Sequence, residues 1–153
     1  MQHIQRSALV NHSAEQMFDL VNDIEAYPRF MPGCRGARVL EATEGELVGE
    51  LLLGAAGVEQ RLTTRNALER PHKIAMTLIE GDFTEFSAAW RFEALSEEAS
   101  KVSLEMRFAF SRALLNAAAS SLFSTMANAQ VDAVVKRADT IYRDYWAFGS
   151  KAK

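Results

Sequence analysis

Apolar and polar residues alternate through much of the middle of the chain. In TEFSAAWRFEA, Phe86, Ala88, Trp90 and Phe92 share one parity, and Glu85, Ser87, Arg91 and Glu93 share the other. In KVSLEMRFAF, Val102, Leu104, Met106, Phe108 and Phe110 oppose Ser103, Glu105 and Arg107. A period of two belongs to a β-strand with one wet and one dry face. VEQRLTTRNAL follows the rule with Glu59, Arg61 and Arg65 toward water and Val58, Gln60, Leu62, Thr64, Asn66 and Leu68 inward, so its dry face carries polar groups. The strand-length runs are separated by ATEG, GAAG, ERPH, EGD and SEEAS. These are turn signals, and the series predicts an antiparallel meander.

The period changes toward both ends. Residues 2–10 have strand content, and NHSAEQMFDLVND opens a helix, with Ser13 and Gln16 at capping-box spacing and Met17, Phe18 and Val21 on one side. From Arg112 to Trp146 neither proline nor glycine interrupts an alanine-rich run, which predicts one long helix with a break near its start. At 100° per residue, Leu115, Ala119, Leu122, Phe123, Met126, Ala133, Val134, Ala138 and Ile141 form its apolar stripe. Ser121, Asn128, Asp132, Asp139 and Arg143 lie opposite.

A sheet that is dry on one side must cover that side, and the C-terminal helix is the one element large enough. The fold class is therefore α+β, a curved antiparallel sheet wrapped around a long C-terminal helix, in a single domain over residues 1–148 with GSKAK (149–153) as a frayed tail. A curled sheet touches a helix along a line, so a wedge-shaped space opens between them, rimmed by loops. YPRFMPGC and EGDFTEF are the rim candidates. In the first, Pro28 and Pro32 fix φ and keep the residues before them out of helix, which holds an apolar turn in one shape.

With 153 residues, 48% hydrophobic and 24% charged, the chain can bury a core without staples. A net charge of -3 and a pI of about 5.6 provide no global basic field for DNA. The single cysteine excludes an intramolecular disulfide, and the N-terminus lacks a signal-peptide core, so the expected location is the cytoplasm, with transient contact at the inner membrane face. His3, His12 and His72 have no metal-site spacing, Cys34 has no CxxC partner and the scattered glycines make no nucleotide loop. Nearly every carboxylate falls on a wet parity or in a turn, so the interior is lined for binding rather than acid–base catalysis, and no catalytic residue, cofactor or metal is predicted.

What remains is the aromatic set Tyr27, Phe30, Phe83, Phe86, Trp90 and Phe92. Such a set packs a core or lines a lipid-sized pocket. Thr64 and Asn66 would then orient a ligand bearing oxygen atoms, or else be satisfied by backbone or water. Leu62 from the dry strand face, with Leu122 and Met126 from the helix stripe, completes the candidate lining.

SALVNHSAEQMFDLVNDIEAYPRFMPGC, LTTRN, EGDFTEFSAAWRFEAL and ANAQVDAVVKRADTIY together resemble the coenzyme Q-binding, START-like family of the polyketide cyclase superfamily, and most nearly its bacterial branch of ribosome association toxins. The resemblance implies a helix-grip fold with a cavity for an isoprenoid quinone such as ubiquinone, and a non-enzymatic role in respiratory quinone function. It places Tyr27, Pro28, Phe30 and Pro32 at the pocket entrance and Phe83 and Trp90 on the cavity side. Quinone binding is the leading expectation. The first alternative, implied by the bacterial branch, is binding to the large ribosomal subunit and blocking subunit association, for which Arg61, Arg65 and Arg91, with Arg29, Arg35 and Arg38, are the candidate basic surface. The second is a polyketide aromatase or cyclase, which needs an inward acid–base pair.

Overall fold

The computed structural model describes residues 2–55, 57–111 and 117–151; within these, the side chains of residues 55, 58, 117–119, 122 and 143–151 lie outside the description. Seven strands make one antiparallel sheet: β1 (Gln2–Val10), β2 (Cys34–Ala42), β3 (Glu46–Ala55), β4 (Val58–Glu69), β5 (Lys73–Glu80), β6 (Phe83–Ala94) and β7 (Ser100–Phe110). Their spatial order is β1-β7-β6-β5-β4-β3-β2. The predicted meander is therefore β2 to β7, and β7 returns to pair with β1, as in Gln5 opposite Glu105.

This order puts β1 and β2 at opposite edges, so the chain between them must cross the sheet. It does so as helix α1 (Ala14–Asn22) followed by a 3-10 helix over Ile24–Arg29. The predicted capping box is present: the Gln16 backbone N–H donates to Ser13 Oγ (3.1 Å) and the Ser13 N–H to Gln16 Oε1 (3.0 Å). Met17, Phe18 and Val21 are buried, as their spacing requires.

Pro28 lies inside the 3-10 helix, so Tyr27 before it is helical, contrary to the expectation that the prolines exclude helix. The tight turn tolerates Pro28 because the Tyr27 carbonyl closes the next turn, accepting from the Phe30 N–H (3.1 Å) and the Met31 N–H (2.8 Å), so no bond depends on the missing donor.

The C-terminal helix is divided near its middle into α2 (Ala117–Asn128) and α3 (Gln130–Lys151), with Ala129 as the joint. Residues 112–116, where the break near the helix start was expected, lie outside the described residues. No proline or glycine causes the joint. Asn128 Nδ2 donates to the Ser124 carbonyl (3.0 Å), competing with the backbone for the acceptor, while its Oδ1 accepts from Arg6 on β1 (3.2 and 3.3 Å). The buried stripe then runs Ala127, Val131, Val134, Ala138; Ile141 is exposed, and Tyr142 turns inward to donate to the Gln16 carbonyl at 2.9 Å. α3 continues to Lys151, into the stretch expected to fray.

The dry parity of the strands is buried as predicted, from Phe86 to Phe92 on β6 and Val102 to Phe108 on β7. Register shifts mark where the sheet bends, between Thr63 and Thr64 on β4 and between Phe83 and Glu85 on β6. Phe18 of α1 meets Phe92 edge to face at 5.8 Å, and Trp90 lies parallel to Phe92 at 6.4 Å. His12 belongs to this well-packed end: its Nε2 is 2.8 Å from Asp139 Oδ1, and Ser100 Oγ donates to its carbonyl at 2.9 Å.

Candidate functional site

Beyond Trp90 the packing opens. Between the sheet, the 3-10 turn and the α2–α3 joint lies a cavity of about 70 Å³. Trp90 separates it from the core at the α1 end. Its far wall is aromatic: Phe83 sits 5.6 Å from both Phe86 and Phe110, and Phe110 is 6.4 Å from Phe123 on α2. Phe83 and Phe86 have opposite parity, and the bulge between Phe83 and Glu85 brings both to the dry side.

Four of the six methionines, Met31, Met76, Met106 and Met126, line the same space. Unbranched thioethers fill irregular gaps and rotate at low cost, so this lining can change shape. The volume is well below the roughly 300–1,000 Å³ of a small-molecule pocket. The space would admit a ring-sized molecule only if methionine tips moved aside.

Polar groups are few. Tyr27 is buried, its hydroxyl donates to the Val21 carbonyl, and burial raises its pKa far above the usual phenol value, with smaller contributions from Cys34 and Asp23. The Cys34 thiol is also pushed up, by burial, against the lowering effect of its bond to the Gly36 carbonyl (3.3 Å). Gln130, the first residue of α3, lines the cavity and makes no side-chain hydrogen bond among the described residues. No carboxylate or imidazole lines the cavity among the described residues.

Of the predicted lining, Tyr27, Pro32, Leu62, Phe83, Phe86, Trp90 and Met126 meet at the cavity. Five others go elsewhere. Phe92 is core. Pro28 is exposed on the 3-10 helix. Thr64 and Asn66 are buried and satisfy each other, with Thr64 Oγ1 donating to Asn66 Oδ1 at 2.8 Å. Leu122 has its side chain outside the described residues. Phe30 packs edge to face on Tyr27 at 5.7 Å but faces outward, into a separate groove. Sequence reasoning missed Met31, Met76, Met106 and Gln130. Met106 was legible as inward by parity, whereas Met31, Met76 and Gln130 reach the space only through tertiary placement.

The candidate basic surface is divided. On the outer sheet face Arg38 pairs with Glu50 (3.2 Å), Arg61 lies 3.9 Å from Glu50, and Arg65 pairs with Glu46. Arg29 instead joins Phe30, Pro32, Lys136 and Arg137 around a surface groove between the 3-10 turn and α3.

A curved sheet gripping a C-terminal helix over an apolar cavity defines a helix-grip, START-like protein. The chain belongs to the family described as polyketide cyclase / dehydrase and lipid transport, whose model matches residues 10–135. It is 43% identical over 140 residues to the ribosome association toxin RatA of Pseudomonas aeruginosa, covering 92% of this chain and 97% of that one. It is 29% identical over 140 residues to the mitochondrial coenzyme Q-binding protein COQ10 homolog B of Xenopus laevis, covering 89% of this chain and 57% of that one. Among solved structures, the Zhui aromatase/cyclase from Streptomyces sp. R1128 superposes with a TM-score of 0.77 at 22% identity, over 90% of this chain and 93% of that one. That likeness concerns the fold.

No helix among the described residues is long and apolar enough to cross a membrane, and no group of three metal-ligating side chains converges among them.

Proposed function

We propose that this protein associates with the ribosome, with the large subunit as its partner and the joining of subunits as the step it blocks. The observation that carries this reading is the 43% identity to a ribosome association toxin across 97% of that protein's length. It places ribosome association ahead of quinone binding, the leading expectation from the sequence. The test is a sucrose-gradient profile of host subunits mixed with purified protein under conditions where they normally join. Expected is a loss of joined ribosomes with the protein travelling in the large-subunit fraction. An unchanged profile with the protein left at the top of the gradient overturns the reading.

A second reading, an apolar ligand held in the cavity, is favoured by the methionine and phenylalanine lining around the unbonded Gln130 amide. An isoprenoid quinone suits this chemistry: the amide meets a carbonyl, and the thioethers give way to the ring. The test is organic extraction of protein purified without detergent, followed by mass spectrometry. A near-stoichiometric quinone supports this reading, and a clean extract removes it. Cyclase chemistry has less support, because the cavity's polar groups among the described residues are Tyr27, Cys34 and Gln130, with burial holding the phenol and thiol protonated.

A further inference from the structure

Among the described residues, the groove beside the cavity collects three cations and one carboxylate. It encloses about 510 Å³ and is lined by Arg29, Phe30 and Pro32 from the 3-10 turn and its exit, and by Lys136, Arg137 and Thr140 from α3. Asp132 is its one carboxylate among the described residues, and it forms no ion pair within 4.0 Å with any described cation. Arg29 and Lys136 are exposed, and among the described residues neither makes a salt bridge or side-chain hydrogen bond. Arg137 is held with its guanidinium 5.4 Å from the centroid of the Phe30 ring. A π face fixes the position of a cation while leaving its N–H donors available to an anion. On the outer sheet face Arg38, Arg61 and Arg65 differ from these, since they are engaged by Glu50 and Glu46.

We infer that the Arg29–Phe30–Lys136–Arg137 groove is the surface that grips ribosomal RNA, taking successive backbone phosphates on its three cations. This rests on the ribosome reading above and adds the contact surface and its chemistry. Charge complementarity identifies the occupant: a chain with net charge -3 has no long-range attraction for a polyanion, so binding must come from a local set of unneutralised cations. Concavity favours an RNA strand over a lipid surface, because phosphates spaced along a strand can enter a groove flanked by the 3-10 turn and a helix. Pro32 lines both groove and cavity, so the RNA surface and the apolar site share one wall.

The experiment is co-sedimentation of full-length protein with purified large subunits across a salt series, using Arg29→Gln, Lys136→Gln and Arg137→Gln singly and together. Arg61→Gln and Arg65→Gln serve as outer-face controls, and urea melts check that every variant is folded. Each groove substitution is expected to lower the slope of log affinity against log salt by roughly 0.7 to 0.9, while the controls keep the wild-type slope. The triple variant should lose the steep salt response altogether. Groove variants that sediment like wild type overturn the inference and leave ribosome association standing. Wild-type protein that fails to sediment at any salt overturns both. A triple variant that still binds subunits but no longer binds phosphatidylglycerol vesicles makes the groove a lipid surface and also overturns the inference.

Discussion

Gly33 and Met126 are packed so closely that a β-carbon on residue 33 would overlap the Met126 Cε. Gly33 has φ of 74°, so the turn leaving the 3-10 segment uses the left-handed region at the point where it passes under the α2–α3 joint. This contact holds the rim of the cavity against its helical lid. Gly33→Ala should cost about 1–2 kcal/mol from backbone strain, because the Met126 tip can swing aside. Urea melts of Gly33→Ala and of Gly33→Ala/Met126→Ala measure it. If the double variant regains most of the loss, side-chain overlap rather than φ sets the cost.

Tyr27 contributes its hydroxyl to the fold. Tyr27→Phe leaves the Val21 carbonyl without its donor and should destabilise by about 1–3 kcal/mol in chemical denaturation. Any loss of bound apolar ligand should scale with the folded fraction.

The same residue gives a pH signature. Burial raises the pKa values of Tyr27, Tyr142 and Cys34 above their ordinary values. In each case the folded state holds a proton that the unfolded chain releases, so the stabilisation is fully present below the unfolded pKa values and is lost as pH rises from there through the folded ones. Stability should therefore begin to fall near pH ~8.5, where free thiols ionise, and more steeply above pH ~10, where free phenols ionise. Tyr27→Phe should flatten the slope above pH ~10 by up to about 1.4 kcal/mol per pH unit. Melts at several alkaline pH values measure this, and identical slopes for the two proteins would contradict it.

Thr64 and Asn66 stabilise β4 by bonding each other inside the sheet. Thr64→Val removes the donor and leaves the buried Asn66 Oδ1 unmet, for a cost of about 1–3 kcal/mol. Mass spectrometry of extracts should find ligand content per folded molecule unchanged. A selective loss of ligand at normal stability would return Thr64 to the site.

Gln130 should show the opposite pattern. It has no side-chain hydrogen bond to lose among the described residues, so Gln130→Leu should stay within about 0.5 kcal/mol of wild-type stability while weakening retention of a carbonyl-bearing quinone. Titration with a short-chain quinone, followed by Trp90 fluorescence, compares the two proteins. Equal affinities would remove Gln130 from the site.

The sequence alone determined the elements and their dry faces. Period-two patterning placed Trp90, Phe92, Leu104 and Phe108 in the core, and the Ser13–Gln16 spacing fixed the start of α1, because these signals are written within a few residues of one another. Tertiary structure decided the rest. Parity could not place Phe83, since a bulge reverses its face. The partners of Arg61 and Arg65 lie across the sheet on β3, and Lys136 and Arg137 come to Arg29 only because α3 packs beside the 3-10 turn. Thr64 and Asn66 were read correctly as inward, but whether an inward polar group meets a ligand or a neighbour depends on which atoms lie within hydrogen-bond reach. Local pattern fixes which way a side chain faces; long-range packing decides what it finds there.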